Sequence, residues 1–192
     1  MKKLVPLFIV LVAVSLWLAY LVSREMTAPP PDLGPFAKGQ MAAFEAFPRP
    51  LDLPQTPFED RDGDPVSFDD LSGKVLLINF WATWCDPCIE EMPTLVNLQE
   101  RLGGRDFEVV TVSVDWQGYE VIDAFFAEHG IRDLTAFWDR SGMLPNQLEV
   151  IGLPLTILVG RDGEWLGRLD GPAEWNSADA IALINAAKEK QD

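Results

Sequence analysis

Cysteine and histidine are nearly absent from this chain of 192 residues, which contains two cysteines and one histidine. The cysteines, Cys85 and Cys88, permit one intramolecular disulfide and exclude a wider disulfide framework. A structural zinc site normally needs four sulfur or nitrogen ligands, and neither a second cysteine pair nor a histidine pair is present. The ligand count therefore predicts no metal site and favours redox chemistry between the two cysteines.

Positive charge is also scarce, because 15 lysines and arginines stand against 30 aspartates and glutamates, leaving a formal net charge of −15. Such a chain is repelled by phosphate backbones and by anionic lipid surfaces. The charge balance therefore disfavours nucleic-acid binding and adhesion to acidic membranes. Two interpretations stay open: a solubilising surface, which is the simpler one, or attraction of basic protein partners.

An apolar segment without charges extends over residues 4–22, directly after Lys2 and Lys3. A helix of this length is about 28 Å long, close to the ~30 Å thickness of bilayer hydrocarbon. Lysines before such a segment favour a cytoplasmic N-terminus. We therefore predict a cytoplasmic stretch at 1–3 and an uncleaved transmembrane signal-anchor at 4–22. The alternative is a cleaved signal peptide, which normally has a shorter apolar core and a small-residue cleavage site.

Residues 23–53 are rich in proline and predict an extended linker instead of a packed element. Within this linker, the apolar patch 41–44 is either a helical turn or a segment that docks on the domain, and the sequence leaves both open. The later pattern is globular, so we predict one domain over 54–192.

The domain mixes strand patterns and helix patterns. The turn signal Asp62-Gly63-Asp64 predicts a small β-hairpin. Apolar, β-branched runs predict a buried strand that begins at Val75 and further strands over 107–115, 134–138, 155–159 and 165–169. Apolar residues at helical spacing predict helices after Cys88, around 122–129 and after Ser177.

The two cysteines lie where the strand from Val75 gives way to a helix. A helix N-terminus carries partial positive charge and unpaired N–H groups, and both stabilise a thiolate. We therefore expect Cys85 to be exposed and activated at this terminus. Cys88, one turn later, is expected to face inward and to close the disulfide.

The stretch from Asn79 to Cys88, Asn-Phe-Trp-Ala-Thr-Trp-Cys-Asp-Pro-Cys, is followed by Glu91-Met92-Pro93 and, far away, by Gly152-Leu153-Pro154. These residues resemble the membrane-anchored TlpA/ResA-like thiol–disulfide oxidoreductases of the thioredoxin superfamily. The similarity covers nearly the whole predicted domain. It implies an α/β, thioredoxin-like fold: a central mixed sheet flanked by helices, with an N-terminal β-hairpin and an inserted strand and helix.

The resemblance also implies roles for individual residues. Cys85 is the nucleophile and Cys88 the resolving thiol. Asn79 stands where thioredoxins carry a buried acid, so Glu91 is the candidate that accepts the proton of Cys88, and a merely solvated glutamate is the alternative. Pro154 is expected to be cis, with Leu153 offering backbone groups to an extended substrate.

Three residues beside the cysteines complete the predicted site. Trp84 is expected to cover the apolar surface around the disulfide, with a core aromatic as the alternative. Pro87 fixes the turn, because its φ angle is locked. Asp86 adds negative charge that opposes thiolate formation and biases the choice of partner, or it is an ordinary first-turn acid.

The implied function is reduction of disulfides in client proteins by a monomer of the bacterial inner membrane whose domain faces the periplasm. The clients implied are apocytochrome c or copper-delivery proteins for cytochrome oxidase, a transmembrane thiol donor supplies electrons, and no organic cofactor is needed. Two rival functions are a copper chaperone using Cys85, Cys88 and His129, and a non-catalytic domain that grips extended peptides.

Overall fold

The computed structural model describes residues 13–17, which are helical, and residues 31–189, which form the domain considered below. Among these described residues, no helix is long and apolar enough to cross a membrane. The predicted signal-anchor over 4–22 lies mostly outside the described residues. It therefore stays a prediction.

Within residues 31–189, eight strands form one mixed sheet in the order β1-β8-β7-β4-β5-β6-β2-β3. β4 is parallel to β5, and β5 is parallel to β6, whereas the other neighbouring pairs are antiparallel. The strands are β1 (Glu45–Leu51), β2 (Phe58–Glu59), β3 (Pro65–Val66), β4 (Val75–Trp81), β5 (Phe107–Ser113), β6 (Thr135–Trp138), β7 (Leu155–Val159) and β8 (Trp165–Asp170).

Four α-helices and three short 3-10 turns accompany the sheet in this part of the chain. The α-helices are α1 (Asp86–Leu102), α2 (Tyr119–His129), α3 (Leu144–Gln147) and α4 (Ala178–Glu189), and the 3-10 turns are Gly34–Phe36, Gly39–Met41 and Asp69–Leu71. The predicted mixed sheet with helices, the β2–β3 hairpin and the inserted pair α2 and β6 are confirmed. Gly103 is the C-cap residue of α1, and the helix continues through Pro93.

The central strand β4 is buried along its whole length, because both faces of the sheet are covered. Val75, Leu77 and Trp81 pack in one apolar cluster with side chains of α1, and the alternate residues of β4 pack in a second cluster on the other face. Successive strand residues point to opposite faces, so Asn79 faces the α1 side together with Leu77 and Trp81. The strand thus directs its one amide toward the helix that bears the cysteines.

The register brings three loops to one edge of the sheet. Trp81 at the end of β4 pairs with Ser113 at the end of β5, and Phe80 pairs with Leu155 at the start of β7. The loops 82–85, 114–118 and 150–154 therefore all leave the sheet at the edge where the disulfide lies.

The prediction of a linker over 23–53 is wrong for the part of that range that the structure describes, residues 31–53. Residues 45–51 form the edge strand β1, which pairs with β8, and the apolar patch 41–44 supplies buried side chains to the core. An edge strand tolerates proline because it has N–H groups that need no strand partner. Gly167 on β8 allows the close approach, since a Cβ there would lie 2.6 Å from the Glu45 carbonyl oxygen. The domain thus begins by residue 31.

Candidate active site

The two cysteines form a disulfide at the N-terminus of α1. Their Cα atoms are 5.3 Å apart and the S–S distance is 2.02 Å. Cys85 is the N-cap residue, and its Sγ accepts a hydrogen bond of 3.3 Å from the backbone N–H of Cys88. Asp86 and Pro87 form the first turn of the helix, where proline is favoured because no backbone donor is lost. The helix terminus therefore directs N–H groups and partial positive charge at Cys85, as predicted.

The two sulfurs differ in access, but less than the sequence suggested. Cys88 is fully buried, which confirms its inward orientation. Cys85 is only 6% exposed, so the prediction of an exposed cysteine overestimated the exposure of this residue. The reason is packing: Cys85 belongs to the same apolar cluster as Ala82 and Cys88. A small part of Cys85 is therefore accessible from outside the domain, whereas Cys88 is not.

Glu91 lies one helical turn beyond Cys88 and is 3% exposed, so the alternative of a solvated glutamate is wrong. Three donors surround its carboxylate. The Asn79 Nδ2 group donates to Oε1 at 2.7 Å, and the Ala173 N–H and the Trp175 Nε1–H donate to Oε2 at 3.0 and 3.2 Å. Burial raises the pKa of Glu91 to about 7, while the hydrogen bonds from Ala173, Asn79 and Trp175 act in the opposite direction.

Asn79 connects this carboxylate to the neighbouring strand. Its Nδ2 group also donates to Thr156 Oγ1 at 2.9 Å, and Thr156 is the residue of β7 directly opposite Asn79. Both amide protons are therefore used, whereas Oδ1 has no hydrogen-bond partner among the described residues. Sequence reasoning singled out Asn79 as a departure from the thioredoxin acid, but it missed Trp175 and Thr156, for which no local signal exists.

The loop before β7 contains the second predicted part of the site. The Leu153–Pro154 peptide bond is cis, as predicted. The Pro154 carbonyl accepts a hydrogen bond of 2.8 Å from Gly171, and Leu153 is half-buried. Because β7 begins beside the end of β4, this loop reaches the same edge of the sheet as the disulfide. The substrate-binding role of Leu153 stays a prediction.

Trp84, directly before Cys85, is 63% exposed, so the alternative of a core aromatic is wrong. The loop that carries it is held by Asp115, which is buried beyond the end of β5. The Thr83 N–H and hydroxyl donate to the Asp115 carboxylate at 2.9 and 2.8 Å, and Ser113 donates at 2.8 Å. Asp115 was not identified from the sequence, although an acid directly after a buried strand was an available signal.

Among the described residues, no group of three or more histidine, cysteine, aspartate or glutamate side chains is placed to hold a metal ion. His129, which the copper-chaperone alternative requires, lies at the end of α2. Its ring stacks on Phe125 with centroids 4.0 Å apart, and its Nδ1 atom lies 3.0 Å from the Phe125 carbonyl oxygen. His129 is thus held against Phe125 of its own helix.

A cysteine pair at a helix N-terminus, a cis-proline loop at the same sheet edge and a mixed sheet together define a thioredoxin-like domain. The Redoxin family profile matches residues 42–181, and the chain belongs to this family. The matched range includes the strand β1, in agreement with the corrected start of the domain.

Individual relatives show which thioredoxin-like proteins the chain resembles in sequence. The chain is 38% identical over 109 residues to the thiol-disulfide oxidoreductase ResA of Oceanobacillus iheyensis, an alignment that covers 55% of this chain and 54% of that protein. It is 28% identical over 123 residues to ResA of Bacillus subtilis, with 64% and 68% covered. The chain thus spans between half and just over two thirds of these relatives. The resemblance to ResA-like thiol–disulfide oxidoreductases is confirmed.

Solved structures agree on the fold. A thiol:disulfide interchange protein DsbE from Chlorobium tepidum superimposes with a TM-score of 0.62 at 26% identity. The superposition covers 72% of this chain and 96% of that one. The thioredoxin-like fold predicted from the sequence is therefore confirmed.

Proposed function

We propose that this chain is a membrane-anchored thiol–disulfide oxidoreductase that reduces disulfides in proteins outside the cytoplasm. One observation carries the proposal: Cys85 caps a helix whose next turn bears a buried carboxylate, Glu91, held by three donors. Exchange between a dithiol and a disulfide needs a stabilised thiolate that attacks and a group that accepts the proton of the second thiol. The helix N-terminus supplies the first, and the carboxylate supplies the second.

The reaction begins with the reduced pair. The Cys85 thiolate attacks one sulfur of the client disulfide, a Cys85–client bond forms, and the other client sulfur leaves as a thiolate. The Cys88 thiolate then attacks the Cys85 sulfur, which forms the Cys85–Cys88 bond and releases the second client thiolate. Two electrons pass from the pair to the client, and a thiol donor must reduce the pair again.

The second step requires Cys88 to lose its proton inside the domain. Cys88 is fully buried, so water cannot take the proton directly. Glu91 follows three residues later on the same helical face, and burial raises its pKa to about 7. A base with a pKa near the ambient pH is well suited to proton transfer. Glu91 therefore accepts the Cys88 proton and returns it to solvent or to the departing client.

The direction, location and partners extend the family resemblance. The chain acts as a monomer at the bacterial inner membrane, with its domain in the periplasm, and a transmembrane thiol protein supplies electrons. Apocytochrome c or copper-delivery proteins for cytochrome oxidase are the clients. The relatives named thiol-disulfide oxidoreductase ResA support the reaction class. A reductant has a potential nearer the roughly −270 mV of thioredoxin than the roughly −120 mV of DsbA, so redox titration of the pair tests the direction.

Trapping of the first intermediate tests the exchange reaction. A Cys88→Ser chain keeps the attacking sulfur but cannot release the client, so a mixed disulfide through Cys85 accumulates in cells. The matched Cys85→Ser chain should accumulate no such adduct, because its remaining sulfur is fully buried. Peptide mapping identifies the bridged residue. Equal yields of adduct from the two variants would contradict the proposal.

The anchor is tested separately. A chain held by residues 4–22 stays in the membrane fraction after washing with high salt, and its N-terminal peptide is recovered by mass spectrometry. A mature chain that begins after residue 22 would overturn the anchor without affecting the exchange chemistry.

A further inference from the structure

Two tryptophans near the disulfide have no place in the reaction described above. Trp84 is 63% exposed and Trp116 is 82% exposed, although tryptophan is among the largest apolar side chains. Single exposed apolar residues are normal, but contiguous exposed aromatic surface marks binding sites. The loops that bear Trp84 and Trp116 leave the sheet side by side, because Trp81 and Ser113 pair at the ends of β4 and β5.

The spacing of the two loops is fixed by one buried carboxylate. Asp115, which precedes Trp116, accepts hydrogen bonds from the N–H and the hydroxyl of Thr83, which precedes Trp84. The Val114 N–H also donates to the Trp81 carbonyl at 2.9 Å. The two tryptophans therefore project from a rigid base, which lowers the entropy lost when a partner binds.

A third exposed apolar residue lies on the other side of the disulfide. Ile151 is 92% exposed and precedes the cis-proline of the loop that leads into β7. In the sheet, β4 lies between β7 and β5, so the loop bearing the cysteines lies between the loop of Ile151 and the loop of Trp116. Loops that carry exposed apolar residues thus lie on both sides of the loop that carries the reacting cysteine.

The charged residues within these three loops have one sign, and Arg168 of β8, which donates to the Glu149 carbonyl oxygen, is itself paired with Asp170. Residues 82–90, 114–120 and 149–154 include no lysine or arginine. They carry four exposed acids: Asp86, Glu90, Glu120 and Glu149. A segment that docks here is therefore favoured when it is basic, and its approach is accelerated at low salt.

We propose that Trp84, Trp116 and Ile151 form a client rim, a docking surface for an extended, cationic segment that carries an aromatic or large aliphatic residue beside its reactive cysteine. This inference rests on the proposed exchange with client proteins and names the class of client. Contact between an aromatic client residue and the tryptophans contributes binding energy, and the acids select the charge of the flanking residues.

Four short cyclic disulfide peptides test the rim. They have one sequence, with phenylalanine or serine beside the first cysteine and with lysine or glutamate at the flanking positions. The reduced full chain should reduce the phenylalanine peptides with a kcat/KM roughly tenfold above that of the serine peptides, the scale of an interface hot spot. The lysine peptides should react faster than the glutamate peptides, and added salt should reduce this difference.

Variants assign the preference to the rim. Trp116→Ala should bring the phenylalanine-to-serine ratio close to one, and Trp116→Phe should restore most of it. Leu51→Ala is the matched control: Leu51 is an exposed apolar residue that pairs with Trp165 at the opposite end of the sheet. Its ratio should equal that of the wild type.

Each other result has a definite meaning. A ratio that Trp116→Ala leaves unchanged, or a preference for the glutamate peptides, overturns the rim while the exchange activity stands. If the chain reduces none of the four peptides, the proposed function itself is contradicted, and the rim is rejected with it.

Discussion

Asn79 on β4 donates a hydrogen bond of 2.7 Å to Glu91 on α1, and so joins the central strand to the helix that begins at the cysteines. All three hydrogen-bonding partners of the Glu91 carboxylate are donors, which favours the anion. Burial favours the neutral acid and is the largest of the effects on its pKa. These opposing effects leave the pKa of Glu91 near neutral pH, so this carboxylate can take up and release a proton under physiological conditions.

Glu91 should make the stability of the domain depend on pH. Its pKa is raised from 4.5 to about 7 in the folded state, so its protonation stabilises the fold fully below about 4.5. That contribution is lost as the pH rises through about 7. At about 1.4 kcal/mol per pH unit, the loss is about 3 kcal/mol.

Denaturant unfolding of the oxidised chain between pH 4 and pH 9 measures this loss. Glu91→Gln removes the ionisation, so the free energy of unfolding of the wild type should fall relative to that of the variant as the pH rises. Glu100→Gln, at an exposed position of the same helix, should follow the wild type. Parallel curves for wild type and Glu91→Gln would mean that this carboxylate does not titrate between those limits.

Replacement of Asn79 by leucine should raise the pKa of Glu91 further. The substitution preserves approximate volume but removes a donor that favours the anion. At pH 8 the free energy of unfolding should fall by about 1–3 kcal/mol, because a buried carboxylate loses a hydrogen bond. Thr156→Val, which removes only the second acceptor of Asn79, should shift the pKa less. NMR titration of the Glu91 carboxyl measures its pKa in both variants. An unchanged pKa in Asn79→Leu would show that the hydrogen bond from Asn79 does not contribute to that pKa.

The local part of the site could be predicted from the sequence, and its tertiary part could not. The strand from Val75 and the helix after Cys88 follow from patterns within a few residues, and the cis-proline follows from the family resemblance. The contact between Trp175 and Glu91 joins residues 84 positions apart, so only the packed fold reveals it. The small exposure of Cys85 likewise reflects its place in an apolar cluster whose members come from the whole length of the domain.

The strand β1 was missed for a different reason. Its sequence, Glu45 to Leu51, contains two prolines and no clear alternation, and both features are typical of linkers. The apolar patch before it was a usable signal: the patch docks on the domain, as one of its two interpretations held, and Met41 also belongs to the 3-10 turn Gly39–Met41. What could not be predicted was the small residue opposite, Gly167, which admits the strand.

Two methionines test the corrected start of the domain. Met41 is completely buried, so Met41→Ala should lower the free energy of unfolding by about 2–5 kcal/mol. Met143 is exposed, and Met143→Ala should change it by less than about 0.5 kcal/mol. Denaturant unfolding at one pH measures both. Equal, small effects would restore the interpretation of 31–53 as a linker.

Alkylation of the reduced chain tests the roles of the cysteines. Cys85 is partly accessible at a helix N-terminus and Cys88 is buried, so iodoacetamide should modify Cys85 much faster. Quenched samples analysed by peptide mass spectrometry give both rates. Similar rates would show that the assignment of attacking and resolving thiols is wrong.

The pH dependence of client reduction tests the central claim most directly. The rate at which the reduced chain reduces one disulfide peptide should rise through about pH 7, as Glu91 becomes able to accept the Cys88 proton. In Glu91→Gln the rate should be lower above that pH and the inflection should be absent, whereas Glu100→Gln should retain the wild-type profile. Profiles of wild type and Glu91→Gln that superimpose would contradict a role for Glu91 in the exchange reaction.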